Sequence, residues 1–318
     1  MTPEWPLDDP RRGPIHLRRE LLGRGMDDRE IARAVAEGAL HRVRHGAYVR
    51  GIAWRECDDV RRHALSCRAV YRMARTSIVV SHVSAVGEWD LAQWDLPLAQ
   101  VHITRDDQRA GRKEAGVHQH LGALRPEDVV ERNGIRVTGV ARTCLDTVSM
   151  VDVERGLVVV NDALHKGLTT PEELAQCAEY MEQWPGSLRH RVVLRLADGR
   201  IESVGESRFF YLCWDQGLPL PIPQYKVYDD HGRLVAVVDF AWPELGLFVE
   251  FDGKLKYKAP DRDDETVVDV VLREKSREEL VCRLTGWRCL RVVWAELYYP
   301  ERTAARVRAL FRPTAAAN

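Results

Sequence analysis

Val249-Glu250-Phe251-Asp252-Gly253-Lys254-Leu255-Lys256-Tyr257 is the stretch on which the fold of this 318-residue chain turns. It closes an apolar run (Leu245, Leu247, Phe248, Val249) with two acids two residues apart, then two lysines. Alternate side chains of a strand share a face, so Glu250 and Asp252 are expected to point the same way. Upstream, Val235-Ala236-Val237-Val238-Asp239-Phe240 reads as a second strand ending in a carboxylate, and Trp242-Pro243-Glu244 as the turn between them. Paired as a hairpin, the two strands would bring Asp239, Glu250 and Asp252 to one end of a sheet. Hard cations such as Mg²⁺ take clustered oxygen ligands, and a neighbouring ammonium suits phosphate chemistry. The same residues would also make an ordinary solvated Asp-Gly turn.

From about Glu202 to Leu310 the chain resembles the PD-(D/E)XK nuclease superfamily, and more closely the domains related to very-short-patch repair endonucleases. The matching text is Gly205-Glu206-Ser207-Arg208, Val238-Asp239-Phe240, Glu250-Phe251-Asp252-Gly253 and Lys256-Tyr257. It continues in Arg273-Glu274-Lys275-Ser276-Arg277-Glu278 and Gly286-Trp287-Arg288-Cys289-Leu290-Arg291-Val292. The resemblance implies that Asp239 and Glu250 ligate Mg²⁺ (or Mn²⁺), with Asp252 a third or alternative ligand and Glu206 a further acid. It also implies a lysine beside the attacked phosphate. Read as acid-x-Lys, the register is Asp252-Gly253-Lys254. With Glu250 as the acid, Asp252 takes the lysine position and Lys254 or Lys256 reaches in from beyond Gly253. Between Val267 and Leu284, Val268, Val271, Leu272, Leu280, Val281 and Leu284 recur at helical spacing, with Arg273, Lys275 and Arg277 between them as candidate phosphate contacts.

Near the other end, Asp27 to Gly38 opens with an acid at the N-cap position and Glu30 three residues on, and stops at a glycine. A short helix is expected before it, over Ile15 to Leu22. After it, Leu40 to Arg50 reads as two strands hinged at His45-Gly46. Helix, turn, helix and basic hairpin is the order of a winged helix-turn-helix, which sets its second helix in the DNA major groove. Ile31 and Val35 would face inward, leaving Arg29 and Arg33 outward, with Arg42, Arg44 and Arg50 on the wing. A small capped bundle for protein contacts is the alternative. Leu17 to Val49 resembles the N-terminal winged helix of AbiEi-type antitoxins of type IV toxin–antitoxin pairs. The string Gly38-x-Leu40-x-Arg42-Val43-Arg44-x-Gly46-x-Tyr48-Val49 carries the likeness. Ser81-His82-Val83-Ser84-Ala85 and Ala141-Arg142-Thr143-Cys144-Leu145-Asp146 extend it to about residue 180. That resemblance implies promoter DNA and a nucleotidyltransferase-like toxin as partners.

The middle, Ala53 to Arg191, is α+β in outline, with helices over Cys57–Arg75 and around His82–Leu91 and strands at Val101–Thr104 and Ile135–Thr138. His118 and His120 have the parity of two ligands on one strand. No third ligand is evident in the sequence, so satisfied structural histidines are the expectation. The whole is therefore expected to be an α+β and α/β multidomain protein. A winged helix over 1–52, an antitoxin-like α+β domain over 53–197 and a restriction-endonuclease-like domain over 198–318 make it up. Lys and Arg number 47 against 48 Asp and Glu, so any DNA binding must come from local patches rather than a polybasic surface. Seven scattered cysteines without a CxxC pair suggest neither a disulfide framework nor a zinc knuckle. With no signal-peptide-like start and no apolar run of membrane-spanning length, the cytoplasm is expected. Two roles stand open: a Mg²⁺-dependent DNA endonuclease, or a non-catalytic, antitoxin-like autoregulator on a degenerate nuclease fold.

Overall fold

The computed structural model describes residues 5–6, 8–105, 113–114, 116–253 and 267–312; the side chains of 113–114 and 267–275 lie outside that description. The chain divides into two compact units, residues 1–197 and 198–318, and each mixes helices with sheet. The protein is thus α+β and multidomain. Among the described residues, no helix is long and apolar enough to cross a membrane.

The first unit opens with β1 (His16–Leu17), helices Arg18–Gly23 and Asp28–Ala36, then the hairpin β2 (Leu40–Arg44) and β3 (Ala47–Arg50). The helix expected from Ile15 begins three residues later, because His16 and Leu17 are extended and pair with Tyr48 and Ala47 of β3. Asp27 caps the second helix as its spacing requires. Its carboxylate accepts the Glu30 amide at 2.8 Å, while Glu30 accepts the Asp27 amide at 2.9 Å. Gly38 ends that helix and Gly46 turns the hairpin, both at positive φ. Leu21, Ile31 and Tyr48 form one small core, joined by Met26, Val35 and Leu40. A second cluster binds Leu17, Ala47 and Val49 to Cys57, Leu65 and Ala69, the last two on the helix Asp59–Met73. The hairpin and the segment after residue 52 therefore share one core.

A six-stranded mixed sheet follows: β4 (Ile78–Val80), β5 (Val101–Arg105), β6 (Lys113–Glu114), β7 (Val117–His120), β8 (Val129–Arg132) and β9 (Ile135–Thr138). Its order is β6-β7-β5-β4-β9-β8, with β4–β9 and β5–β7 parallel. Between β4 and β5 the chain forms a single turn, Val83–Val86, and a 3₁₀ turn, Gly87–Trp89, rather than one continuous helix. Helices Val140–Met150, Val153–His165, Pro171–Tyr180 and Leu188–Leu196 complete the unit. Its interior holds ions in pairs: Arg142 with Asp146 at 2.8 Å and Asp128 at 3.3 Å, and Arg68 with Glu88 at 2.6 Å. Such groups stay charged inside a protein only when partnered.

The second unit runs helix Val204–Asp215, β10 (Ile222–Tyr228), β11 (Leu234–Trp242), β12 (Leu247–Asp252), helix Val267–Thr285, β13 (Arg288–Val293) and helix Pro300–Arg308. The sheet order is β10-β11-β12-β13. The first two pairings are antiparallel, and β11 meets β12 through the short turn Pro243–Leu245. β12 and β13 are parallel, which needs a crossover, and Val267–Thr285 supplies it. Along β11, Ala236, Val238 and Phe240 are buried while Val237 and Asp239 are half-exposed, the alternation of a sheet with one wetter face. Val238, Ala241, Phe248 and Val281 form the core beneath the crossover helix.

Candidate functional site

Pairing of β11 with β12 runs from Trp242↔Leu247 to Phe240↔Val249. One step further places Asp239 beside Glu250. There the ladder changes character: the Phe251 amide donates to Asp239 Oδ2 at 2.7 Å, a side chain taking the place of a backbone acceptor. Burial drives both carboxylates up, Asp239 to about 6 and Glu250 to about 7. For Asp239 the Phe251 amide opposes burial, the Glu206 charge adds to it and Arg277 opposes it; for Glu250 the Asp239 charge adds, and Arg277 and Arg291 oppose. Glu206, Asp239 and Glu250 thus form one electrostatic cluster, near enough that each pushes on the next.

Glu206 reaches this cluster because Gly205 lets its helix lie directly on Phe251. A Cβ at position 205 would stand 2.0 Å from Phe251 Cε1. The Glu206 carboxylate also serves its own helix. It accepts from Ser203 Oγ at 2.7 Å and from the Glu202 amide at 3.1 Å, while Ser203 Oγ accepts the Glu206 amide at 3.2 Å. A fourth contact comes from β10, where Gln224 Nε2 donates to Glu206 Oε2 at 3.3 Å. Gln224 lies across from Asp239 and holds a left-handed φ of 49°, strained for a non-glycine residue inside a strand. No sequence pattern marks that conformation.

The basic partner comes from the crossover helix. Arg277 Nη2 donates to Glu250 Oε1 at 3.0 Å, so this residue, expected on a phosphate-gripping face, turns onto the acids instead. Arg291 lies opposite Glu250 on β13 and pairs with Glu278 at 2.9 Å. Asp252 ends β12 opposite Val293, and no hydrogen bond or ion pair ties it to Asp239 or Glu250. Lys254 and Lys256 lie outside the described residues, as do the side chains of Arg273 and Lys275. Among the described residues, the group of three or more ligand side chains that converges to metal-binding reach is made of histidines on the other unit, not of these acids.

In the first unit Arg29, Arg33, Arg42 and Arg50 are exposed, with Arg33 4.0 Å from Glu30. The pairing of β2 and β3 shifts register between Arg42 and Arg44. Past that shift Arg44 is half-buried and lines a groove with Arg62 and Ser66 of the helix Asp59–Met73. Arg42 and Arg44 therefore do not form one continuous basic edge.

No family model matches the chain. Two uncharacterized proteins of Mycobacterium tuberculosis, MT2308 of strain CDC 1551 and Rv2248 of strain H37Rv, are each 31% identical to it over 192 residues. The match covers 60% of this chain and 66% of each relative, so the chain spans just under two thirds of their length.

Proposed function

We propose that the second unit is a PD-(D/E)XK-type nuclease domain, similar to very-short-patch repair endonucleases, and that the helices and hairpin of the first unit are a winged helix that holds its DNA. The observation that carries the reading is the gathering of three acids at the β11–β12 end, where Asp239 and Glu250 are adjacent across the hairpin and both are pushed up, first by burial and then by a neighbouring carboxylate. Carboxylates brought together out of water suit a cation. The order helix, three antiparallel strands, crossover helix, parallel strand supports it.

An all-carboxylate donor set fits a hard ion, so Asp239 and Glu250 would hold Mg²⁺ or Mn²⁺, with Glu206 and Asp252 as further acids. Bound there, the ion would supply Lewis-acid charge for phosphodiester hydrolysis. A bound cation would offset the burial that raises Glu250 and hold it ionised. Arg277 is placed to offset phosphate charge once it leaves Glu250. Arg29, Arg33, Arg42 and Arg50 would contact backbone phosphates, in the cytoplasm where such DNA lies.

A second reading is favoured by two particular contacts. Arg277 pairs with Glu250 and Glu206 closes its own helix, which suits a degenerate fold. The protein would then be an AbiEi-like antitoxin and autoregulator facing a nucleotidyltransferase-like toxin. Nicking of supercoiled plasmid with Mg²⁺, by wild type and by Asp239→Asn and Glu250→Gln, separates the two. Nicking lost in both variants supports the enzyme. No nicking by wild type, or equal nicking by all three proteins, removes it.

A further inference from the structure

The first unit gathers four histidines on and beside the interior strands β4, β5 and β7 of its sheet. His102 of β5 pairs in register with His118 of β7, and Thr104 pairs with His120, so the three imidazoles share one face of two parallel strands. His102 Nδ1 lies 2.8 Å from His120 Nε2, and one ligand atom from each of His102, His118 and His120 falls within 4.8 Å of the others. The His118 and His120 rings stack at 4.1 Å. His82 stacks on His120 at 3.5 Å from the other side, held at a strained φ of 55°. Behind it the fully buried Asp146 keeps Oδ2 without a hydrogen bond, 3.7 Å from His82 Nδ1.

A hydrolytic Ser-His-Asp relay does not fit, although Ser81, His82 and Asp146 adjoin. Ser81 Oγ and Asp146 both face the same ring atom, Nδ1, whereas a relay needs the nucleophile and the acid on opposite nitrogens. A metal site fits better. Four imidazoles packed ring to ring form a dense set of nitrogen donors.

We propose that His102, His118 and His120 form a binding site for one Zn²⁺-class transition-metal ion. Three imidazole nitrogens select Zn²⁺ and its neighbours, and not Mg²⁺ or Ca²⁺, which prefer oxygen. Tetrahedral bonds of about 2.0–2.1 Å set nitrogens about 3.4 Å apart, so the present spread closes with ring movements on the order of 1 Å. The ion would take the place of the direct contact between His102 Nδ1 and His120 Nε2 and tie β5 to β7. A fourth coordination position would remain on the open side of the two half-buried ligands, His118 and His120. His82 is the positioning ring: it packs His120 in place, with its own Nδ1 held by Ser81 Oγ at 2.9 Å and Asp146 beyond at 3.7 Å.

Full-length protein is stripped with chelator and titrated with Zn²⁺ against a chromogenic competitor. One equivalent per chain is expected at submicromolar affinity. His118→Ala/His120→Ala should weaken it at least 100-fold, whereas Asp239→Asn/Glu250→Gln should leave it unchanged. Co²⁺ loading gives an independent readout, visible ligand-field bands of a low-coordinate nitrogen site, present in wild type and lost in a single His118→Asn variant. No tight zinc uptake by wild type would overturn the site. So would stoichiometric zinc in the histidine double variant, or zinc lost with the carboxylate pair.

Discussion

Replacing Gly205 with Ala tests whether the approach of the helix Val204–Asp215 to β12 is as tight as described. Ordinarily this change in a helix stabilises by up to about 1 kcal/mol, less near its first turn. Here the new Cβ would sit 2.0, 2.5 and 2.8 Å from Phe251 Cε1, Cζ and Cδ1. Carbon atoms rest at about 3.5–4.0 Å, so the overlap is roughly 1.5 Å. Phe251 has little freedom to retreat. Its ring meets Trp294 edge-on at 6.0 Å, and its amide is bonded to Asp239. Overpacking of this kind costs about 1–3 kcal/mol, which reverses the sign of the propensity gain and leaves a net loss of about 1–2 kcal/mol. Native-state hydrogen exchange on the full chain, followed in peptides from 198–253, reads the opening free energy of this unit alone. In a Phe251→Ala background the ring is gone, and Gly205→Ala should turn neutral or stabilising. Stabilisation by Gly205→Ala in both backgrounds would refute the close approach, and with it the reason Glu206 lies near Asp239.

Acid should weaken the first unit through His63, which is buried and pushed down to about 4, with Leu98 O and Ser84 Oγ on its two nitrogens at 2.9 Å each. Its stabilising contribution is present above about pH 6.5 and is lost as pH falls toward 4, because the unfolded chain takes the proton first; the difference is roughly 3 kcal/mol. Urea unfolding at pH 7 and pH 5 should show about 2 kcal/mol of this fall in wild type and a flatter response in His63→Gln; equal slopes would count against it. Arg142→Met strips the cation from buried Asp146, while Asp128 keeps Arg125 at 2.8 Å, and should cost about 3 kcal/mol in equilibrium unfolding, a loss under 1 kcal/mol showing that the ions are not so tightly coupled. Arg277→Ala removes a cation that holds Glu250 down, so carboxyl NMR should find Glu250 titrating higher than in wild type, and an unchanged or lower value would break the pairing.

Much of the local structure was legible. The Asp27/Glu30 cap, the glycine stops and the Pro243 turn are each set by a few neighbouring residues, whereas the apolar run Val235–Val238 marks a strand without saying which side of it is wet. What escaped depends on partners distant in the chain. His102 joins His118 only because β5 and β7 run parallel, a pairing no short pattern encodes. The sequence offered two of the three histidines and no reason to count the third. Arg277 reads as one more cation on a charged helix face until the crossover lays it over Glu250. Gln224 carries no mark at all, since a left-handed backbone at a glutamine is imposed by the surrounding sheet. The shared core of Leu17, Val49, Leu65 and Ala69 likewise joins segments that look separable in sequence.

The bond from the Phe251 amide to Asp239 has a consequence for detection. Because a carboxylate stands where a strand carbonyl would, the last rung of this hairpin can be undone without unfolding anything. Any cation that draws the Asp239 oxygens toward itself must compete with that one N–H. Occupancy should then be readable at a single backbone proton, whose protection from solvent deuterium and whose amide chemical shift would change on titration, whether or not the protein ever cuts a strand of DNA.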